Sequence, residues 1–418
     1  MLLKNTLKDI SNNALLYLCS ITFFYISSGA FNMLQGIYIK ELNYGESYLG
    51  TLLSLKILAT AICSIPCAVL VNKLGKKYAI LLAFIFVPLM NIFQVYFNTK
   101  DLMLMFAIIQ GGFTSLLLVS EGPFLMENSI ERSRLKLFSI SFVTNVFSNM
   151  IGYLAFGEVS HRLELVLSSI EALRSSIIIS GIIGFIACLF IIRIKTSLNA
   201  TKGANDSDIK IKENLLKAYL YILNQKHPSQ YVIYNFIIGF GAGLVVPYFN
   251  VYLKYKINIS TETIGFIMAL AQGAMGVGGL ITPIMAKKYG KINTIIICQT
   301  LSVPFLMLIA LPPSVVIVST ALFMRNALMN MAGPIISNLA MEMVDSNHGP
   351  MFSSIINISG NLSRALSAML SGFIMNHLVN GYEIPYFITA IVYIGGTIYF
   401  YKCFKNVDKQ NKGVIREI

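Results

Sequence analysis

A-V-L-V-N-K-L-G-K-K, from Ala68 to Lys77, joins two long apolar segments and packs three lysines into a short turn. A second basic turn, A-K-K-Y-G-K-I-N, runs from Ala286 to Asn293, roughly half a chain later. A basic, glycine-centred turn that recurs once per half, each time between apolar segments, predicts a duplicated helical membrane bundle.

Composition agrees. Of 418 residues 56% are hydrophobic and only 12% charged, whereas soluble domains sit near a quarter charged. The apolar runs are about 20 to 27 residues long, enough to cross a hydrocarbon layer of roughly 30 Å at about 1.5 Å per residue. A transmembrane β-barrel would instead show alternating segments of roughly ten residues. The first apolar stretch follows Lys4 and Lys8, is too long for a signal-peptide core, and is expected to stay as the first helix. The six cysteines fall in or beside apolar spans and form no disulfide framework. Cys63 and Cys67 share a helix face but lack further ligands, so no metal and no cofactor is expected. The net charge of +13 is accounted for by basic cytoplasmic loops without invoking nucleic acid.

Twelve spans are predicted, at 14–39, 48–72, 78–97, 101–126, 138–160, 174–194, 231–254, 262–286, 293–311, 314–341, 351–376 and 383–404. Residues 1–195 form an N-terminal six-helix bundle, 196–230 a polar linker and 231–418 a second bundle with a short basic tail. Within the linker, Ile209 to Leu223 has the pattern of an amphipathic surface helix. With the N-terminus inside, inside segments exceed outside ones roughly fourfold in Lys and Arg, which places both termini in the cytoplasm of a multi-pass cell-membrane protein. Trp is absent, and Tyr serves as the interfacial aromatic.

The duplication extends beyond the turns. Tyr38-Ile39-Lys40 matches Tyr252-Leu253-Lys254, Gly50 matches Gly265, Gly122-Pro123 matches Gly333-Pro334, and Phe138-Ser139 matches Phe352-Ser353. All are offset by about 210 to 215 residues, so both copies share one orientation about an axis along the membrane normal. On this topology and these turns the chain resembles a major facilitator superfamily transporter. That family carries approximately G-x-x-x-D-[RK]-x-G-[RK]-[RK] after the second span; here the positions read Ala68, Asn72, Lys73, Gly75, Lys76 and Lys77. The resemblance implies a cytoplasmic latch made by this turn, with Asn72 offering a neutral hydrogen bond where the family has an acid. Two departures count against a drug/proton antiporter. Gln110-Gly111 stands in span four with Ala107 where proton-coupled members carry Arg, and span five has Gly152 and Gly157 but no Pro.

Polar residues inside a span face the bundle or a wet cavity, because facing lipid costs free energy. One-sided stripes give the substrate-binding candidates: Asn32 and Gln35 in span one, Gln110 and Thr114 in span four, Asn145 in span five, Asn326 and Asn330 in span ten, Asn357 and Asn361 in span eleven. The resemblance puts spans one, four, seven and ten around a central cavity and spans two, five, eight and eleven at the interface of the halves. Each of these amides could equally be glue between helices, at about 0.6 kcal/mol. Charges are sharper, since an ionised side chain at mid-span costs about 2.5–3.5 kcal/mol. Lys56, Arg325 and Arg364 lie about 12, 16 and 18 Å below the outer face. They point to an anion site, with structural pairing as the competing role. The acid read as intramembrane is Glu121, a proton-coupling candidate or a latch towards Arg132, Arg134 or a basic turn. Glu127 and Glu342, at the ends of spans four and ten, are stronger latch candidates, and the second basic turn adds Lys287, Lys288, Gly290 and Lys291 to the cytoplasmic gate.

No phosphate-binding loop, catalytic triad or metal-ligand cluster is present, so no enzyme is expected. The expected function is secondary active transport of a small solute by alternating access, a small organic anion being favoured, by a monomer in the lipid bilayer, with a proton as a candidate coupling ion. A proton-coupled multidrug efflux antiporter and a non-transporting membrane sensor on the same fold are the alternatives.

Overall fold

The computed structural model describes residues 11–129, 131–195, 219–311, 314–344 and 349–405, and these are helical with short connections. Six helices make the N-terminal half: α1 Asn12–Glu41, α2 Gly45–Leu74, α3 Lys76–Tyr96, α4 Lys100–Glu127, α5 Glu131–Glu164 and α6 Ser169–Ile192. The second half begins with a broken span, α7 Lys226–Val245, a 3-10 turn Val246–Tyr248 and α8 Phe249–Tyr255. Then come α9 Thr261–Tyr289 and α10 Lys291–Ala310, a second broken span, α11 Val315–Met331 and α12 Gly333–Met341, and finally α13 Gly349–His377 and α14 Ile384–Phe404. Among the described residues ten segments are long and apolar enough to cross a membrane. α9 and α13, each 29 residues long, complete the twelve expected spans. Large apolar side chains such as Ile62, Ile182 and Ile391 are 68%, 58% and 72% exposed. That surface would be a liability in water and is what lipid solvates. This is an all-α, multi-pass membrane protein. Of the expected surface helix at 209–223, residues 209–218 lie outside the described residues, as do Lys4, Lys8 and the basic tail beyond 405.

Local signals set the helix ends. Ser11 accepts from the Ala14 amide at 3.2 Å and caps α1. Ser168 caps α6 by accepting from Glu171 N, with the Glu171 side chain 3.1 Å from the Ser168 hydroxyl. The two basic turns pivot on Gly75 and Gly290, with φ of 85° and 86°, a region where a Cβ is strained. Asn43 and Asn258 take the left-handed conformation at φ 60° and 58°, which short amide side chains tolerate. Both pairs are 215 residues apart.

The chain divides into two units, Met1–Ala204 with Asn258–Ala269, and Asn205–Ile257 with Leu270–Ile418. The first turns of α9 therefore belong with the first unit. Within the first unit α1 packs on α5 and α6, α4 on α2 and α3, and α3 on α6. Within the second, α7 packs on α13 and α14, and α10 on α11 and α14. These are the repeat equivalents of four of the first unit's contacts, so the duplication read from the turns is present in the packing. Each unit has its own core. Tyr17, Phe24, Phe84 and Phe124 anchor the first, with Phe24 and Phe84 stacked at 4.7 Å. Tyr231, Tyr234, Phe352 and Phe400 anchor the second. Tyr38 Oη donates to Val95 O at 3.1 Å, and its counterpart Tyr252 to Ile309 O at 2.7 Å.

The breaks are stitched from neighbouring helices. Pro247 lies in the 3-10 turn and has no N–H to continue a helix. Around the break Ser371 Oγ donates to Leu244 O at 2.5 Å and Tyr248 Oη to Ala368 O at 2.6 Å, both reaching across to α13. At the second break Thr282 Oγ1 of α9 donates to Met331 O.

Candidate functional site

A cavity of about 360 Å³ lies inside the first unit. Phe24, Tyr25, Phe31, Leu117 and Leu118 supply apolar wall, and Asn32, Lys56, Asn91, Gln110, Thr114 and Asn149 converge on it from five helices. Apolar walls with a few placed polar groups are the usual make-up of a small-molecule site.

Lys56 reaches this cavity because α2 and α4 run unusually close. A Cβ on Gly111 of α4 would collide with the Lys56 carbonyl oxygen and lie 3.0 Å from the Ala59 Cβ. Thr60 Oγ1 ties the crossing together, donating to Lys56 O at 2.9 Å and Gly111 O at 3.1 Å. Lys56 is half-buried; its ammonium lies 5.3 Å from the Phe31 ring centre and has no carboxylate partner among the described residues. A cation held near apolar wall without a counter-ion leaves the cavity positive.

Amides from α1, α3 and α4 form a chain. Gln35 Nε2 donates to Gln94 Oε1 at 2.8 Å, Gln94 Nε2 to Gln110 Oε1 at 3.1 Å, and Gln110 Nε2 to Asn91 Oδ1 at 2.5 Å. Gln35, expected to touch substrate, instead sits in this chain and does not line the cavity. Thr114 Oγ1 donates back to Gln110 O at 2.8 Å. Asn145 also stays off the cavity wall and orients Asn149, whose Nδ2 donates to Asn145 O at 2.9 Å and Oδ1 at 2.8 Å.

The other candidate cations lie in the second unit and have different surroundings. Arg325, 2% exposed, donates from Nη1 to Asn326 Oδ1 at 2.9 Å and from Nη2 to Tyr393 Oη at 3.0 Å. Its guanidinium lies 5.4 Å from the Phe249 ring centre. It is caged by neutral and aromatic groups. Arg364 is exposed on α13, with Asn357 exposed and Asn361 half-buried on the same helix. Asn330 Nδ2 donates to Asn326 O at 2.9 Å.

Glu121 lies one turn along α4 from Leu117 and Leu118 and accepts from Ser141 Oγ at 3.0 Å. Among the described residues no cation pairs with it. Arg134 leaves its Nε buried without a partner, and the Arg132 side chain lies outside the described residues. The latch candidates pair twice over: Lys76 Nζ to Glu127 at 2.9 Å and Lys291 Nζ to Glu342 at 2.6 Å, each inside one unit and 215 residues apart. Lys77 Nζ donates to Ile192 O at 2.9 Å and Ile194 O at 2.6 Å, tying the end of α6 to the turn. Asn72, Lys73, Lys287 and Lys288 are exposed.

Sequence reasoning passed over Asn91 and Gln94 in α3 and Gln299 in α10. Gln299 donates to Tyr234 Oη and accepts from Thr397 Oγ1 at 3.3 Å. Asn91 and Gln94 stand three apart in an otherwise apolar helix, and that isolated pairing was the signal available.

No curated protein sequence matches the chain. Solved structures do. A point mutant of the nucleoside transporter NupG has a TM-score of 0.78 at 15% identity, covering 94% of this chain and 100% of its own. A bacterial homologue of the human lysosomal transporter Spinster, in an inward-facing and unoccupied conformation, has 0.78 at 11%, covering 94% and 96%. A D-xylose-proton symporter has 0.73 at 13%, covering 94% and 97%. At these identities the likeness is one of fold. The Major Facilitator Superfamily profile matches residues 16–368 and 231–417. With its twofold repeat of turns, tyrosines and ion pairs, the chain belongs to the Major Facilitator Superfamily and is a multi-pass secondary transporter of small molecules.

Proposed function

We propose that this transporter carries a small organic anion, bound in the first-unit cavity by Lys56. The observation that carries the reading is Lys56 itself, a half-buried lysine on a cavity wall with no carboxylate partner among the described residues. An intramembrane charge of this kind costs about 2.5–3.5 kcal/mol at the helix centre, and a ring face such as Phe31 returns about 0.5–2 kcal/mol. An anionic solute supplies the missing counter-charge. Transport proceeds by alternating access, with Glu121 as the group that would carry a coupling proton. The monomer sits in the cell membrane with both termini cytoplasmic, which the distribution of Lys and Arg supports.

The test is thermal stabilisation of detergent-purified protein by a panel of anionic, neutral and cationic solutes, repeated on Lys56→Gln. A ligand that binds only the folded state raises the midpoint. Anions are expected to stabilise the parent and to lose that effect in Lys56→Gln. Stabilisation by lipophilic cations alone would overturn the reading. An uncharged polar solute is the second reading, supported by the cavity's amides and aromatic walls and by the nucleoside and xylose transporters of similar fold. Neutral hits indifferent to Lys56→Gln would favour it.

A further inference from the structure

A lysine alone does not tell a carboxylate from any other acceptor, but the cavity holds a second oriented donor. α3 contributes two amides, Asn91 and Gln94, each 1% exposed. A side-chain amide has one donor end and one acceptor end, so in a chain of amides each orientation sets the next. Here the main chain sets the direction. Gln94 Nε2 lies 3.3 Å from the carbonyl oxygen of Met90, an atom that can only accept. The same amino group therefore faces Gln110 Oε1, and Gln110 presents its own Nε2 to Asn91 Oδ1. Gln35 Nε2 satisfies Gln94 Oε1 from the far side. Asn91 is left with its oxygen occupied and its Nδ2 at the open end of the chain. No described residue accepts from that nitrogen, and it is not among the enclosed polar atoms that lack a partner. Asn91 and Lys56 both line the cavity.

We propose that Asn91 determines specificity in this cavity: its Nδ2, held outward by the Gln35–Gln94–Gln110 chain, and the Lys56 ammonium together take one acceptor group of the solute, a carboxylate in the case of an organic anion. Gln94 does not line the cavity and acts as a positioning residue through Gln110. The proposal rests on the cavity being the solute site. A solute whose polar end is only a donor is disfavoured at this pair, because neither Lys56 nor the outward end of Asn91 offers it an acceptor.

Benzoate, benzamide and benzylamine share one ring and differ in the polar end, so they serve as probes. Each is titrated against the full chain in detergent, reading the thermal midpoint, for the parent, Asn91→Asp, Gln94→Met and Lys56→Gln. Asn91→Asp keeps the oxygen that accepts from Gln110 and replaces the outward amino group by a second oxygen. The parent is expected to respond to benzoate, more weakly to benzamide and not to benzylamine. Asn91→Asp should weaken benzoate and benzamide about tenfold or more and gain a response to benzylamine. Gln94→Met should weaken both acceptor probes several-fold without touching the cavity. Lys56→Gln should lose benzoate and keep benzamide. If Asn91→Asp melts like the parent without ligand and keeps the parent's order of probes, the proposal is overturned, while a benzoate response lost in Lys56→Gln still supports the anion reading. If benzamide binds, benzoate does not, and Asn91→Asp abolishes benzamide binding, the anion reading fails and the donor role of Asn91 stands. If no probe stabilises the parent, both are overturned. Should Asn91→Asp fail to fold, Gln94→Met decides, and an unchanged response to benzoate and benzamide overturns the proposal.

Discussion

Gly111 and Gly112 are neighbours on α4, and alanine is expected to act on them in opposite directions. At Gly111 the added methyl collides with the Lys56 carbonyl oxygen and meets the Ala59 Cβ at 3.0 Å. Backbone cannot step aside as a flexible side chain does, so α2 and α4 would have to part by something on the order of 1 Å. Overpacking of this kind costs about 1–3 kcal/mol. The Thr60 hydroxyl bond to Gly111 O, now 3.1 Å, would open with the helices and remove about 1 kcal/mol more. The sum is a loss of about 2–4 kcal/mol. At Gly112 the methyl meets only the Cys63 Sγ, at 3.5 Å, an ordinary contact. There the restricted backbone of alanine should stabilise the helix by about 0.5–1 kcal/mol. Thermal midpoints of Gly111→Ala and Gly112→Ala in one detergent, with solute response measured beside them, read the difference. Gly111→Ala should melt lower and respond to solute less, because Lys56 sits on the displaced turn. Equal midpoints for the two variants would refute the close crossing of α2 and α4 and, with it, the placement of Lys56.

Tyr38→Phe and Tyr252→Phe each remove one hydroxyl bond to a main-chain carbonyl in equivalent places. Each should cost about 1 kcal/mol, with similar shifts in thermal midpoint. The half-exposed pairs Lys76–Glu127 and Lys291–Glu342 should each give a coupling of about 0–1 kcal/mol in a double-mutant cycle, falling as salt is added. Arg325→Lys should not restore what Arg325→Ala loses. A single ammonium cannot span Asn326 and Tyr393 as the guanidinium fork does, so both variants should melt below the parent.

The fold was legible because its signals are physical and repeated. Span length is set by the bilayer, and a turn such as Gly75-Lys76-Lys77 repeated at Gly290-Lys291 announces two copies of one plan. The pairing of Lys76 with Glu127 could be anticipated, since both stand at helix ends on the same side of the membrane. The cavity was only partly legible. Lys56, Asn32, Gln110 and Thr114 carry their polarity into it along helices that have other polar residues on the same face. Gln35 has the same appearance in sequence but spends its amide on Gln94. Asn91 and Gln94, two amides in an apolar run, face inward by the same cost of meeting lipid, and were passed over. What nothing local reveals is their shared partner, Gln110 on the next helix. Arg325 was legible as a buried cation, but its cage depends on Tyr393, 68 residues away on α14.

The interruption at Val246–Tyr248 has a mechanical consequence. The equivalent first span is one continuous rod of 30 residues, stiff along its whole length. The seventh is two rods of 20 and 7 residues sharing a joint, and the bonds that brace the joint come from α13. Pro247 has already removed one of the helical hydrogen bonds that would resist bending there. A load applied to α13 is passed to the seventh span at its weakest point, whereas the same load on the first span is spread over the whole of an unbroken helix. The first and seventh spans, alike in place, are therefore unequal in compliance.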